Sequence, residues 1–177
     1  MSCPVGFKNG TDGGVQVAAD AMVAASSAHA FMGMTKMGVA AIFETRGNAD
    51  CHVILRGGKA PNFDAASVDA ACAALAKAGQ RQQVMIDCSH ANSAKQPRRQ
   101  MDVAADIAQR IAAGERRIVG VMVESHLAEG RQDLKPGQPL APGVSITDAC
   151  LGWDDTVPLL RNLADAVRAR RAAATAN

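Results

Sequence analysis

Five side chains in this sequence are of the types that hold phosphate or a divalent metal ion. Lys8 follows PVGF, Arg56 follows CHVIL, His90 follows QVMIDCS and Glu124 follows IVGVMV, while Asp148 lies further on in SITDACLGW. Lys8 in GFKNGT and Arg56 in ILRGGK pair a point charge with a planar fork. Beside them, Gly57 and Gly58 allow backbone N–H groups to approach a ligand. Together they suit a small, doubly anionic molecule bearing phosphate and carboxylate. The alternative is a pair of structural salt bridges to a helix layer. His90, Glu124 and Asp148 combine an imidazole with two carboxylates. That donor set suits a divalent transition metal, with positions left open for substrate or water. The alternative is three unrelated loop residues.

Residues this far apart must be gathered by the elements that carry them. Uniformly apolar runs are what strands look like in a sheet covered on both faces, and the carboxyl ends of parallel strands are where such sheets place their chemistry. Arg56 and His90 are 34 residues apart (90 − 56), as are His90 and Glu124 (124 − 90), about one βα unit with its loops. Lys8 to Arg56 is longer, at 48 (56 − 8), and the surplus lies in FMGMTKMGVAAIFETRG, residues 31–47, which reads as a hairpin around Lys36-Met37-Gly38. Helical patterns fill the gaps. Thr11 or Asp12 can cap GGVQVAADAMVAASSA, and Asp64 or Ser67 can cap VDAACAALAKAG, which stops at Gly79. RQMDVAADIAQRIAAGE stops near Gly114, and a last helix starts around Asp154. Strand, loop and helix repeated four times indicate an α/β fold with a parallel sheet.

Other polar and sulfur residues have plainer readings. His126 shares a strand face with Glu124 if the strand persists that far. His29 and His52 precede β-type segments, Trp153 reads as a packing anchor for the last helix, and Cys72, Cys88 and Cys150 read as small core residues. The 177 residues suffice for one substantial core, with 48% hydrophobic and 20% charged residues. A net charge of +2 points to no polyanionic partner, so no nucleic acid is expected. Five cysteines with no CxxC pair favour a reducing compartment. No signal peptide and no apolar stretch near the ~20 residues of a membrane span are present, so a cytoplasmic protein without a membrane partner is expected. The terminal VRARRAAATAN reads as a basic helix end fading into a disordered tail at 172–177.

The strings PVGFKNGTDG, GNADCHVILRGGKAPNF, QVMIDCSHANSAKQ, VGVMVESHLAEGRQ and SITDACLGW together resemble the carboxyl-terminal half of the class I 3-deoxy-D-arabino-heptulosonate 7-phosphate (DAHP) synthases, from about Ser2 to about Arg171. The resemblance implies a (β/α)₈ TIM-barrel type of which only the second half, strands five to eight with their helices and the inserted hairpin, is present as one partial domain. It implies that Lys8 and Arg56 hold phosphoenolpyruvate. It also implies that His90, Glu124 and Asp148 are three ligands of a divalent metal ion (Mn, Fe, Co or Zn), with Asp148 relaying a proton. The implied reaction is the first step of the shikimate pathway. Phosphoenolpyruvate condenses with erythrose 4-phosphate at an aldehyde polarised by the metal, water adds, and inorganic phosphate leaves.

Measured against that family, the chain departs by omission. The resemblance implies that strands one to four lie outside this sequence, and with them a cysteine metal ligand on the first strand, the lysine of a KPR segment that serves the aldehyde substrate, and further arginines around phosphoenolpyruvate. Cys3 precedes the wrong strand to replace that cysteine. The expected partner is therefore a second copy or a complementing amino-terminal half, and the isolated chain is expected to be inactive. The resemblance places an aromatic amino acid inhibitor against the hairpin, where Gly33 looks more like the tyrosine-sensitive pattern. A related octulosonate 8-phosphate synthase is disfavoured by KNGTDG and SHANSAKQ, and a non-catalytic half-barrel is the alternative of a different class.

Overall fold

The computed structural model describes residues 3–175. Strand β1 (Val5–Lys8) leads into helix α1 (Gln16–Ser26), the hairpin strands β2 (His29–Met34) and β3 (Ala40–Thr45), and strand β4 (Cys51–Leu55). Helix α2 (Ala65–Lys77), strand β5 (Val84–Asp87), helix α3 (Arg99–Ala112), strand β6 (Ile118–Met122) and helix α4 (Trp153–Thr175) follow. The main sheet runs β1-β4-β5-β6, every neighbouring pair parallel. Its register matters for the site: Lys8 pairs with Ile54, Leu55 with Ile86 and Asp87 with Met122, so the chain leaves all four strands at one rim.

The core lies between this sheet and its helices, in Val53, Leu55, Val84 and Ile86 from the strands and Ala19, Met22, Val68, Leu75, Ile107 and Leu159 from the helices. Helix α3 shows how sequence places an element. Val103, Ala104, Ile107, Ala108 and Ile111 recur at helical spacing and are all buried. The central strands β4 and β5 are apolar and covered, as their composition predicts. The outer strands are not. β1 alternates half-buried and exposed residues, and in β6 only Ile118 is buried while Val119 is 50% exposed. Among the described residues each outer strand has a strand neighbour on one side alone, so apolarity does not suffice to bury it.

Several boundaries differ from the sequence reading. The hairpin spans His29–Thr45 rather than 31–47, so His29 is its first residue, and His52 lies inside β4. Its turn closes through Thr35 and Val39, with Gly38 at φ 75°, and the Phe31 and Phe43 rings stack at 5.8 Å. A Cβ on Gly33 would meet the Phe43 ring at 2.9 Å, which keeps that position small. Helix α1 begins at Gln16 behind Val15 with no side-chain cap, because the Asp12 carboxylate instead accepts from the Gly14 N–H inside the preceding turn. Asp64 does cap α2, accepting from Ser67 N at 2.9 Å. Helix α4 continues through Thr175, so 172–175 are helical where a disordered tail is expected. The alanine-rich ending Arg171-Ala172-Ala173-Ala174 has high helix propensity, and residues 176 and 177 lie outside the described residues. Trp153, expected as a packing anchor, is 53% exposed at the first turn of α4, and that helix buries Thr156, Leu159 and Ala166. Cys72, Cys88 and Cys150 are buried and free, and burial pushes the Cys88 thiol up to about 12, which disfavours the thiolate.

One ion-pair cluster secures β6 to the helix layer. Glu115 is 13% exposed at its side chain and takes Arg117 Nη2 at 2.6 Å, while Arg117 Nη1 reaches Asp69 of α2 at 2.7 Å. The Arg117 hydrogen bonds hold the Glu115 carboxyl at about 2, against an ordinary 4.5. A folded-state value below the unfolded one stabilises the fold above pH 4.5, and that contribution is lost as pH falls toward 2. Urea unfolding at pH 6 and pH 3 is expected to show the parent chain losing more stability than Glu115→Gln over this interval. Equal losses would contradict the assignment.

Candidate metal and anion site

The rim where the strands end opens into a cavity of about 440 Å³, lined by Arg56, His90, Glu124 and Asp148 together with Lys95, Gln100 and Arg131. His90, Glu124 and Asp148 each present a ligand atom, and all lie within 4.8 Å of one another. His90 Nε2 faces Glu124 Oε1 at 3.8 Å. Two metal–ligand bonds of about 2.1 Å span at most about 4.2 Å, so that pair can share one ion as it stands, while the exposed Asp148 completes a group spread over no more than 4.8 Å. Burial pushes the Glu124 carboxyl above its ordinary range, and Asp148 and Asp87 add to this against the opposing pull of His90 and Lys8. Acceptors crowded in this way favour a positive charge among them.

Each ligand is held by a local device. His90 follows β5 by three residues and has φ 53°, a left-handed backbone that a non-glycine residue adopts at a cost, as do Ala94 and Lys95 at 50° and 58°. Lys95 N donates to His90 O at 2.8 Å and closes the loop. Glu124 lies beyond the end of β6. The side chain of Gln100, fully buried on α3, accepts from Glu124 N at 2.8 Å and donates to Glu124 O at 3.1 Å, mimicking a neighbouring strand. Asp148 arrives by a long return. The loop after β6 folds on itself through Gly130 and Cys150, which exchange backbone hydrogen bonds, and Leu151 N donates to Glu124 O at 2.9 Å. His126 takes no part: the strand stops at Met122, and His126 is exposed on a separate depression with Gln132 and Pro142.

The anion receptacle differs from the sequence reading in two ways. Arg56 lines the cavity, but Lys8 does not. Its ammonium binds Asp87 Oδ2 at 2.9 Å, a salt bridge within the sheet rather than the pair to a helix layer that the sequence leaves open. The glycines of LRGG also do not offer their N–H groups to a ligand. Gly57 N donates to Asn62 Oδ1 and Gly58 N to Ala60 O. Gly57 has φ 74° and a Cβ there would strike Ala91, while one on Gly58 would strike the backbone of Gly13, so these residues serve loop packing. Arg56 is aimed by a network of asparagines. Asn9 Oδ1 accepts from Arg56 N at 2.7 Å, and Asn92, which reaches Leu55 O and Asp87 O, accepts from Asn62 N.

Lys95, Gln100, Arg131 and these asparagines were not singled out from sequence. Gln100 had a legible signal, a polar residue on the apolar stripe of α3, and Lys95 sits in the same string as His90. Arg131 pairs with Asp133, whereas Arg56 and Lys95 have no carboxylate partner among the described residues.

Fold and site together define an α/β protein whose parallel sheet gathers one imidazole, two carboxylates and, among the described residues, unpaired cations at the carboxyl ends of its strands. The chain belongs to the DAHP synthetase I family, whose model matches residues 1–161. The Phe-sensitive phospho-2-dehydro-3-deoxyheptonate aldolase of Escherichia coli is 62% identical over 171 residues, 97% of this chain and 49% of the relative. The Haemophilus influenzae aldolase is 56% identical over 174 residues, 98% and 48%. The solved structure of the Francisella tularensis aldolase superposes with a TM-score of 0.89 at 48% identity, covering 96% of this chain and 50% of that one. The chain thus spans about half the length of the curated relatives it matches. No helix among the described residues is long and apolar enough to cross a membrane.

Proposed function

We propose that this chain is the metal- and phosphoenolpyruvate-binding half of a DAHP synthase, folded as the second half of a (β/α)₈ barrel. The observation that carries the reading is the convergence of His90, Glu124 and Asp148 with Arg56 on one cavity at the carboxyl rim of the sheet. The four parallel strands in chain order, and a structural neighbour of twice the length, support the half-barrel.

In the condensation of phosphoenolpyruvate with erythrose 4-phosphate, His90, Glu124 and Asp148 would hold the divalent ion (Mn, Fe, Co or Zn), which when bound supplies Lewis acidity to the aldehyde. Arg56 binds the enol phosphate through its fork and orients it, while the asparagine network fixes the backbone from which that fork extends. Lys8, held by Asp87, contributes positive charge at the same rim. Asp148, the most exposed of the three ligands, is the carboxylate that relays the proton released as water adds. The chain is expected to work in the cytoplasm, beside a complementing amino-terminal half or a second copy. The test is calorimetric titration of the 177-residue chain with Mn²⁺ and then phosphoenolpyruvate. Binding of both is expected, with Arg56→Lys weakening the second because the fork is lost. Equal phosphoenolpyruvate affinity in Arg56→Lys would remove the bidentate role, and no Mn²⁺ uptake by the parent chain would remove the metal site.

A further inference from the structure

We infer that Asp87 is the positioning residue of this site, aiming His90 at the metal and holding Lys8 in place through the same carboxylate. The inference rests on the metal-site reading above. Asp87 ends β5 and is fully buried, at a position whose neighbours Val84 and Ile86 are core residues. Burial works against its charge, and a carboxylate is retained in such a place only when its oxygens are satisfied. They are. Oδ1 accepts from Ser89 N at 2.9 Å and from Ser89 Oγ at 2.6 Å. Oδ2 accepts from Lys8 Nζ at 2.9 Å and lies 2.8 Å from His90 Nδ1.

The proton positions on His90 follow from this arrangement. Ser89 has one hydroxyl proton, and it points to Asp87 Oδ1. The Ser89 oxygen, 2.8 Å from His90 Nδ1, can therefore only accept there. Both neighbours of Nδ1 are acceptors, which requires Nδ1 to carry the hydrogen. Nε2 is left with its lone pair directed toward Glu124, 3.8 Å away, as a metal ligand requires. Lys8 comes from β1, two strands away across β4, so the one carboxylate spans from the cationic edge of the rim to the imidazole. An asparagine at this position would keep the shape but present an NH₂ group to Nδ1, Lys8 or Ser89, each of which needs an acceptor.

Two measurements test this. In ¹⁵N-histidine spectra of the parent chain near pH 7.5, the His90 resonance, assigned by its loss in His90→Gln, is expected to show the Nδ1–H tautomer. An Nε2–H tautomer would overturn the inference whether or not any variant folds. In Co²⁺ titrations followed by visible absorbance, Asp87→Asn is expected to bind about 10–100-fold more weakly than the parent. Its affinity for inorganic phosphate in metal-free protein should not fall, because Lys8 is released from its carboxylate. Loss of both affinities together would indicate general structural damage and count against a positioning role, as would unchanged Co²⁺ affinity. A parent chain that takes up no Co²⁺ would instead defeat the metal-site reading, with the tautomer still deciding the placement of His90.

Discussion

Replacing His90 with alanine is expected to lower the affinity of the chain for Mn²⁺, Co²⁺ or Zn²⁺ by at least about 100-fold, the loss that follows removal of one ligand from a set of three. The imidazole is the sole nitrogen donor in the cluster, and its loss leaves Glu124 and Asp148 as two acceptors that water can satisfy nearly as well. Because no thiolate belongs to the set, the parent chain is expected to exchange these ions freely. Metal analysis after dialysis would check this. A single tightly retained ion would contradict the carboxylate–imidazole site, and a His90→Ala chain with undiminished affinity would mean that the ion binds elsewhere. Circular dichroism should be little changed, since His90 sits in a loop after β5 and its side chain lies outside the core cluster.

The largest effect is expected from the half of its relatives that this chain does not span. Pure 177-residue chain should form no measurable heptulosonate phosphate, whereas mixing with a separately produced segment corresponding to the uncovered half of its relatives should restore turnover. The physical reason is in the sheet. β1 and β6 are outer strands whose backbone donors and acceptors on one side have no strand partner among the described residues, and Val119 of β6 is half exposed. Parallel strands with apolar faces are normally covered, so these edges favour association with further strands. The cavity is also one-sided: its cations are Arg56, Lys95 and Arg131, of which Arg131 is already paired, leaving little to hold a second phosphate. Two copies joined edge to edge would duplicate this wall without supplying a different one. Turnover by the chain alone, in a preparation shown to lack any longer homologue, would overturn the half-site reading.

The anion arm of the site shows where a residue's type is an incomplete guide to its use. Lys8 and Arg56 read alike in sequence, as cations at strand ends beside glycines. Arg56 lines the cavity without a carboxylate partner among the described residues, whereas the Lys8 ammonium is bound by Asp87, hidden within the apolar run QVMIDCS. Nothing in the spacing of Lys8 and Asp87 announces that contact between residues 79 apart. The glycines of LRGG likewise read as a ligand cradle but serve close packing against Ala91 and Gly13, contacts set by the asparagine network.

Local chemistry along the chain determined the strands, their parallel arrangement and the rim at which His90 and Glu124 emerge. Apolar runs must be buried, and parallel strands joined by helices leave the sheet at the same end. The sequence by itself also determined the donor types, one imidazole and two carboxylates, that limit what the cluster can hold. Tertiary structure alone decided how Asp148 reaches them, because its position depends on a loop from Leu127 to Ala149 that closes through the Gly130–Cys150 backbone pair and not on any strand of its own. It decided too which nitrogen of His90 faces Glu124, since that choice belongs to buried Asp87 and Ser89 and to the distances that packing imposes between them.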